Sequence, residues 1–179
     1  MRLPRSRLAT AVVSAAVLAS VVTSACGSAS PPATDPLAGV AWDRHVRDCS
    51  VDAGGSGLGT VIDEVVKGDV TGDERVDTLV VDRCESSTSP WPQVVEVFDG
   101  SSDPAAPRRL GLLLEGDPEY PRDVNVTVEP GGRISIVGRG LSATAPLCCP
   151  DLTLRRMYRY NGGQFSLVES MSSPAVHAS

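Results

Sequence analysis

Short runs in which apolar and polar residues alternate occupy most of the chain from residue 61 to residue 168. They are rich in Val, Leu and Ile, and a period of two residues in such runs is typical of β-strands with one buried face. The pattern predicts eight strands, at Val61–Val66, Val76–Asp82, Gln93–Phe98, Arg109–Leu114, Val124–Val128, Arg133–Val137, Thr153–Tyr160 and Gln164–Val168.

Breakers that contain glycine separate these runs. Asp99-Gly100 follows the third predicted strand, Pro130-Gly131-Gly132 separates the fifth from the sixth, and Asn161-Gly162-Gly163 separates the last two. Short links of this kind between alternating runs predict β-hairpins. Eight strands with tight links favour an antiparallel β meander, and a curved sheet, a barrel and a sandwich all satisfy the pattern.

One stretch before the strands has a helical period. Asp35-Pro36 resembles a helix start, with Asp as the cap and Pro in the first turn. Trp42, Val46 and Cys49 follow at spacings of four and three, which places them on one face of a helix. A short amino-terminal helix from Pro36 to Asp48 is therefore predicted, and the expected fold class is mainly β with this one helix, stapled by disulfides.

The first 25 residues have the pattern of an export signal. Arginines at positions 2, 5 and 7 precede an uncharged, largely apolar run from Leu8 to Ala25. The end of this run, Val22-Thr23-Ser24-Ala25-Cys26, resembles a bacterial lipobox. The resemblance implies that Cys26 is lipidated and that the acyl chains hold the protein at the extracytoplasmic face of the cell membrane. The alternatives are an ordinary signal peptide cut near Ala25 or Ala29, which leaves a free secreted protein, and an uncleaved helix.

Four regions follow from this reading of the chain. Residues 1–25 are the lipoprotein signal peptide, 26–35 a flexible tether, 36–170 a single β-rich domain and 171–179 a disordered tail. The formal net charge of the whole chain is −6, and the leader is basic, so the remainder is more acidic still. A basic nucleic-acid footprint is absent from such a chain, so nucleic acid is not an expected partner.

Four cysteines follow Cys26 in the sequence, at Cys49, Cys84, Cys148 and Cys149. An even number of cysteines in an exported chain predicts two disulfides. Three pairings are possible. A Cys148–Cys149 bridge strains the peptide between the two residues, so we expect Cys49 and Cys84 each to bond to one member of the adjacent pair.

The stretch GDVTGDERVDTLVV places Asp69, Thr71, Asp73, Arg75 and Asp77 at alternate positions. Three carboxylates, a hydroxyl and the carbonyl of Arg75 are oxygen ligands of the kind that Ca²⁺ prefers. The stretch resembles the calcium loop of FG-GAP and VCBS repeats, where DxNGDGxxD precedes an apolar strand, although Thr71 replaces its Asn and Glu74 its second Gly. The resemblance implies a calcium site at these five residues. The alternative is a hairpin turn whose acids face water.

Several motifs together resemble the actinobacterial LppP/LprE lipoproteins. They are the lipobox, the GDVTGDERVD turn, Cys148-Cys149-Pro150 and the closing YRYNGGQF. This resemblance implies a cell-envelope protein and no catalytic activity.

The sequence has no arrangement typical of a catalytic nucleophile and its base, since His45 and His177 are its two histidines. We therefore expect a non-catalytic module that binds an envelope protein or glycan, with Trp91 in SSTSPWPQ as a candidate for stacking on a sugar. Two alternatives stay open: a hydrolase acting on the cell wall through acids such as Asp69, Asp73 or Glu74, and a calcium-stabilised structural module.

Overall fold

The computed structural model describes residues 35–52, 59–87 and 91–175. Its eight strands form two four-stranded antiparallel sheets, and the strands of each sheet lie in chain order. The amino-terminal sheet contains β1 (Thr60–Gly68), β2 (Asp77–Cys84), β3 (Val94–Phe98) and β4 (Arg109–Leu113). The carboxy-terminal sheet contains β5 (Arg122–Glu129), β6 (Arg133–Gly140), β7 (Leu152–Tyr160) and β8 (Phe165–Pro174).

The predicted antiparallel meander is confirmed, and each of the eight predicted strands is present. The Pro-Gly-Gly and Asn-Gly-Gly links are hairpin turns, with Glu129 opposite Arg133 and Tyr160 opposite Phe165. The largest difference is at β8, which extends to Pro174, so that residues 171–174 of the predicted disordered tail lie in a strand. Pairing with β7 over its whole length holds this polar end extended, although its sequence lacks an apolar pattern.

The two sheets share one apolar core. Leu79, Val95 and Val97 of the amino-terminal sheet belong to the same buried cluster as Ile134 and Ile136 of the carboxy-terminal sheet. The inward-facing apolar residues of each sheet therefore pack against those of the other sheet, and this burial is the main source of stability.

Two glycines allow the sheets to approach closely. A Cβ atom added at Gly68 of β1 would lie 2.7 Å from Cβ of Val128, and one added at Gly111 of β4 would lie 2.7 Å from a ring carbon of Phe165. The first pair joins β1 to β5 and the second joins β4 to β8, so the approach occurs at both outer strands of the amino-terminal sheet.

The predicted helix from Pro36 to Asp48 is wrong. The segment contains a 3₁₀ turn at Trp42–Arg44, and a four-residue helix α1 follows at Cys49–Asp52. Gly39 has a φ of 78°, a left-handed conformation that ends the turn begun at Asp35-Pro36 before a helix can form. The apolar spacing had another cause, because Leu37, Trp42 and Val46 are buried against the outer face of the amino-terminal sheet.

Ion pairs fasten this covering segment, residues 35–48, to the same face. Nε of Arg47 lies 2.7 Å from Oδ1 of Asp82, and its backbone N–H donates to Oε1 of Glu96 over 2.6 Å. Arg109 also pairs with Glu96. Asp82 and Glu96 are fully buried, and burial raises the pKa of Asp82 to about 6 although Arg47 opposes the shift and the charges of Glu96 and Asp63 add to it.

The predicted disulfide pairing is also wrong. The bonds join Cys49 to Cys84 and Cys148 to Cys149. The first pair meets because Cys84 is opposite Thr60 at the start of β1, and Oγ1 of Thr60 accepts the backbone N–H of Cys49. Cys148 and Cys149 lie in the link between β6 and β7, in the other sheet. The signal sequence, Cys26 and the predicted tether up to residue 34 lie outside the described residues.

Candidate functional site

The acidic loop between β1 and β2 divides its carboxylates between two environments. Asp77 is fully buried, and its side chain accepts the backbone N–H groups of Val70, Thr71 and Gly100. Burial raises the pKa of Asp77, while these hydrogen bonds act in the opposite direction. Asp77 therefore ties the loop to the turn after β3.

The outer part of the loop satisfies its own backbone. Asp69 accepts the N–H groups of Gly72 and Glu74, and Asp73 accepts the N–H of Arg75 over 3.0 Å. The hydroxyl of Thr71 lies within hydrogen-bond distance of both aspartates. Four of the five residues predicted to bind calcium thus lie in one loop turn, while Asp77 points inward. Among the described residues, no group of three or more His, Cys, Asp or Glu side chains is placed to hold a metal ion.

The candidates for catalysis are engaged in local contacts or exposed. His45 is half-buried and its ring lies edge-on to Trp42, at 6.3 Å between centroids. Asp69 and Asp73 accept the loop's own hydrogen bonds, and Glu74 is exposed with a left-handed φ of 65°. His177 lies outside the described residues.

A cavity of about 350 Å³ brings together residues that the sequence left far apart. We name it the arginine pocket. It is lined by Asp63, Arg83, Trp91, Gln93, Arg122, Asp123, Arg139, Cys148 and Pro150, from both sheets. Trp91, the candidate sugar-stacking residue, is 39% exposed at this cavity.

One wall of the arginine pocket is a closed polar network. Nε of Arg83 lies 3.0 Å from Oδ2 of Asp63, and Nε2 of Gln93 donates to the same oxygen over 2.6 Å. Oε1 of Gln93 accepts the backbone N–H of Val124 over 2.9 Å. This wall fixes Gln93 and neutralises Arg83, and it links the beginning of β5 to the amino-terminal sheet.

The rest of the lining includes two cations held by neutral groups. Nη1 of Arg122 donates to the carbonyl of Leu147, and Nη2 of Arg139 donates to that of Pro150 over 2.8 Å. The Cys148–Cys149 disulfide lies between these two carbonyls in the chain. The β6–β7 link therefore orients both guanidinium groups without neutralising either.

Arg122 is the least satisfied member of the arginine pocket. It is 6% exposed, and its Nε has no hydrogen-bond partner among the described residues. A buried guanidinium donor without an acceptor costs free energy, because water no longer solvates it.

The sequence contains one signal for this site, at Arg122. Arg122 lies two residues before the fifth predicted strand, Val124–Val128, and continues the alternation of its inward positions Val124, Val126 and Val128. A charged residue at a position that the pattern assigns to the core indicates a specific role or partner. Nothing in the sequence brings Arg122 next to Trp91, since strand pairing and sheet packing create that proximity.

No family model, curated protein or solved structure matches this chain. Over the ranges that the structure describes, no helix combines the length and the apolar character needed to span a membrane.

Proposed function

We propose that this chain is a lipid-anchored, extracytoplasmic protein whose β domain is a non-catalytic binding module of the cell envelope. The single observation that carries the binding role is the arginine pocket, where an exposed indole lies beside oriented guanidinium groups. Its volume of about 350 Å³ lies within the range of small-molecule sites, roughly 300–1,000 Å³.

Export is supported by two independent features. The basic start, the uncharged run and the small residues before Cys26 are those of a lipoprotein signal. All four cysteines of the domain are paired in disulfides, which persist in oxidising compartments. The LppP/LprE resemblance agrees with an envelope location.

Lipidation is tested on the full chain expressed with its leader in a bacterium that processes lipoproteins. We expect a mass increase equal to a diacylglyceryl group on a mature chain that begins at Cys26, and recovery with membranes. The Cys26→Ala variant should lose the added mass. A wild-type protein that starts after Ala29, or that leaves the membrane fraction unmodified, overturns the anchor.

Binding is tested by immobilising the oxidised full chain and passing solubilised envelope glycans and peptides over it. We expect a fraction to be retained by wild type and retained at least tenfold less by Trp91→Ala. Tyr120→Ala is the matched control, because Tyr120 is also an exposed aromatic and lies outside the cavity lining. No retained fraction, or equal retention by Trp91→Ala, overturns the binding role. Release of new fragments from the same material would instead support the hydrolase.

A further inference from the structure

We propose that the arginine pocket binds an acidic saccharide, with the anionic group on Arg122 and the sugar ring on Trp91. This inference rests on the proposed function and names the class of ligand for the same site. The anionic group is a carboxylate or a phosphate ester, because a guanidinium binds both through paired N–H donors.

Among the described residues, two arginines are buried, Arg156 and Arg122, and they differ in their partners. Arg156 is 4% exposed, and it pairs with Asp117 at 2.9 Å and with Glu119. Burial alone would lower the pKa of Arg156, but the hydrogen bonds of Asp117 and Glu119 outweigh burial and raise it. Two carboxylates of the protein itself therefore compensate the buried guanidinium of Arg156.

Arg122 has the same burial without that compensation. Its ordered contact is the neutral carbonyl of Leu147, its Nε is unpartnered, and no carboxylate of the described residues forms a salt bridge with it. A buried cation gains most from an anion, because the attraction is strong where water is displaced. The missing acceptor thus has the chemistry of a carboxylate or phosphate oxygen.

The charges around Arg122 favour one anionic group. Asp63 is already paired with Arg83 and Gln93, so these three residues contribute little net charge. Arg139 adds a second cation, oriented by the carbonyl of Pro150, while the exposed Asp123 opposes an incoming anion. The chain as a whole carries −6, so general attraction does not bring anions here and the affinity is local to the arginine pocket.

Trp91 contacts the uncharged part of the ligand, the sugar ring. Its indole is 39% exposed beside these cations, and an indole face stacks on the apolar face of a sugar ring. A ring that carries an acidic group satisfies both features in a cavity of about 350 Å³. A free inorganic anion would use the arginines and leave the indole unused.

To test this, the oxidised full chain is titrated separately with glucuronate, glucose 6-phosphate, glucose and inorganic phosphate. Binding is measured by calorimetry and by the change in indole fluorescence. We expect at least one of the acidic sugars to bind at least tenfold more tightly than glucose and than inorganic phosphate. Preference for glucuronate identifies a carboxylate, and preference for glucose 6-phosphate identifies a phosphate ester; either supports the proposal.

Substitutions distinguish loss of binding through a removed charge from loss of binding through misfolding. Arg122→Gln should weaken acidic-sugar binding at least tenfold, and Arg159→Gln, on an exposed position of β7, should not change it. Because Arg122 is buried and its variant can fail to fold, Arg139→Gln serves as a second loss variant on an exposed side chain. Asp123→Asn gives the opposite sign, since removing its charge should strengthen binding of the acidic sugar severalfold and leave glucose unchanged.

Equal affinity for glucose and both acidic sugars, or no binding of any, overturns the inference. Equal affinity for inorganic phosphate and the acidic sugars overturns the part assigned to Trp91. If envelope material is still retained in a Trp91-dependent manner, the proposed function stands while the ligand class fails. If acidic sugars bind but no envelope material is retained, the ligand class stands and the envelope role fails.

Discussion

The two sheets have the same topology but differ in how many of their faces are buried. In the amino-terminal sheet, the inner strands β2 and β3 are covered on both faces, by the shared core on one and by the covering segment on the other, and β3 is buried at each of its five positions. At the outer strand β1 the cover is incomplete, and Val65 is 41% exposed. The carboxy-terminal sheet has one buried face, and Val137 on the outer face of β6 is 43% exposed. Four antiparallel strands in chain order therefore do not fix how a sheet is covered.

The residues of the strands agree with this difference in burial. Leu79-Val80-Val81 and Val94-Val95 are continuous apolar runs, as expected where both faces are buried, whereas β6 and β7 carry polar residues on their outer faces. Asp82 and Glu96 are charged but lie on the covered outer face of the amino-terminal sheet, where Arg47 pairs with Asp82 and Arg109 with Glu96. Four changes should break or sharpen the contrast between the sheets.

The largest effect is expected at Asp77, which holds the loop of the amino-terminal sheet. Asp77→Ala leaves three backbone N–H groups without their acceptor in a buried place, and we expect the free energy of unfolding to fall by about 3–5 kcal/mol. Urea unfolding followed by tryptophan fluorescence measures it. Asp73→Ala, exposed in the same loop, should cost no more than about 1 kcal/mol; equal losses would show that burial of Asp77 is not the cause.

The second-largest effect is expected from the disulfides, which should differ in how much each contributes to the free energy of unfolding. Removing Cys49–Cys84 by double substitution with Ala opens a loop of 35 residues and should lower the free energy of unfolding by about 2–4 kcal/mol. The Cys148–Cys149 bond joins residues already adjacent in the chain, so the Cys148→Ala, Cys149→Ala variant should lose less than about 1 kcal/mol of unfolding free energy. A larger loss for the adjacent pair would show that it maintains the carboxy-terminal sheet by another route.

Substitutions of two valines on inner strands test the difference in burial between the outer faces of the two sheets. Val80 of β2 is 0% exposed, so Val80→Ala should cost about 2 kcal/mol through lost burial and the space it leaves. Val137→Ala on β6 should change stability by no more than about 0.5 kcal/mol. The pair is measured by thermal and urea unfolding, and similar values for both would contradict the difference in covering.

The smallest effect concerns Asp82, whose pKa of about 6 in the folded protein lies above its ordinary value of 3.8. The folded state binds the extra proton, so this group makes the protein more stable as pH falls from 7.5 through 6 to 5, by an amount on the order of 1 kcal/mol. The Asp82→Asn variant should lack that increment, while Asp43→Asn, exposed in the covering segment, should retain it. Identical pH dependence in wild type and Asp82→Asn would remove Asp82 as the source.

Local pattern was enough to predict the strands and the two hairpin turns. Strand alternation and Gly-containing links are decided within about ten residues, so the eight strands and the turns at Pro130 and Asn161 follow from composition. The covering segment was predicted wrongly because Trp42 and Val46 are buried by a sheet surface, which gives the same spacing as a helix face.

The remaining errors concern contacts between distant parts of the chain. Cys84 meets Cys49 because β1 pairs with β2, a register that no cysteine spacing encodes. The arginine pocket depends in the same way on residues from β1 to the β6–β7 link, with sheet packing placing Arg122 near Trp91. Trp91 was found as a candidate from its Ser- and Pro-rich surroundings, but its charged neighbours were not.

The position of Cys49 determines how the domain responds to a pull on its amino terminus. Tension applied before residue 35 acts first on the covering segment, and it can peel Leu37, Trp42 and Val46 in turn from the sheet. At Cys49 the covalent bond to Cys84 passes the load to the end of β2, an inner strand of the amino-terminal sheet. Mechanical extension of the oxidised protein should therefore stop after a short release of about fifteen residues at roughly 3.3–3.6 Å each, with the two sheets and the arginine pocket still folded.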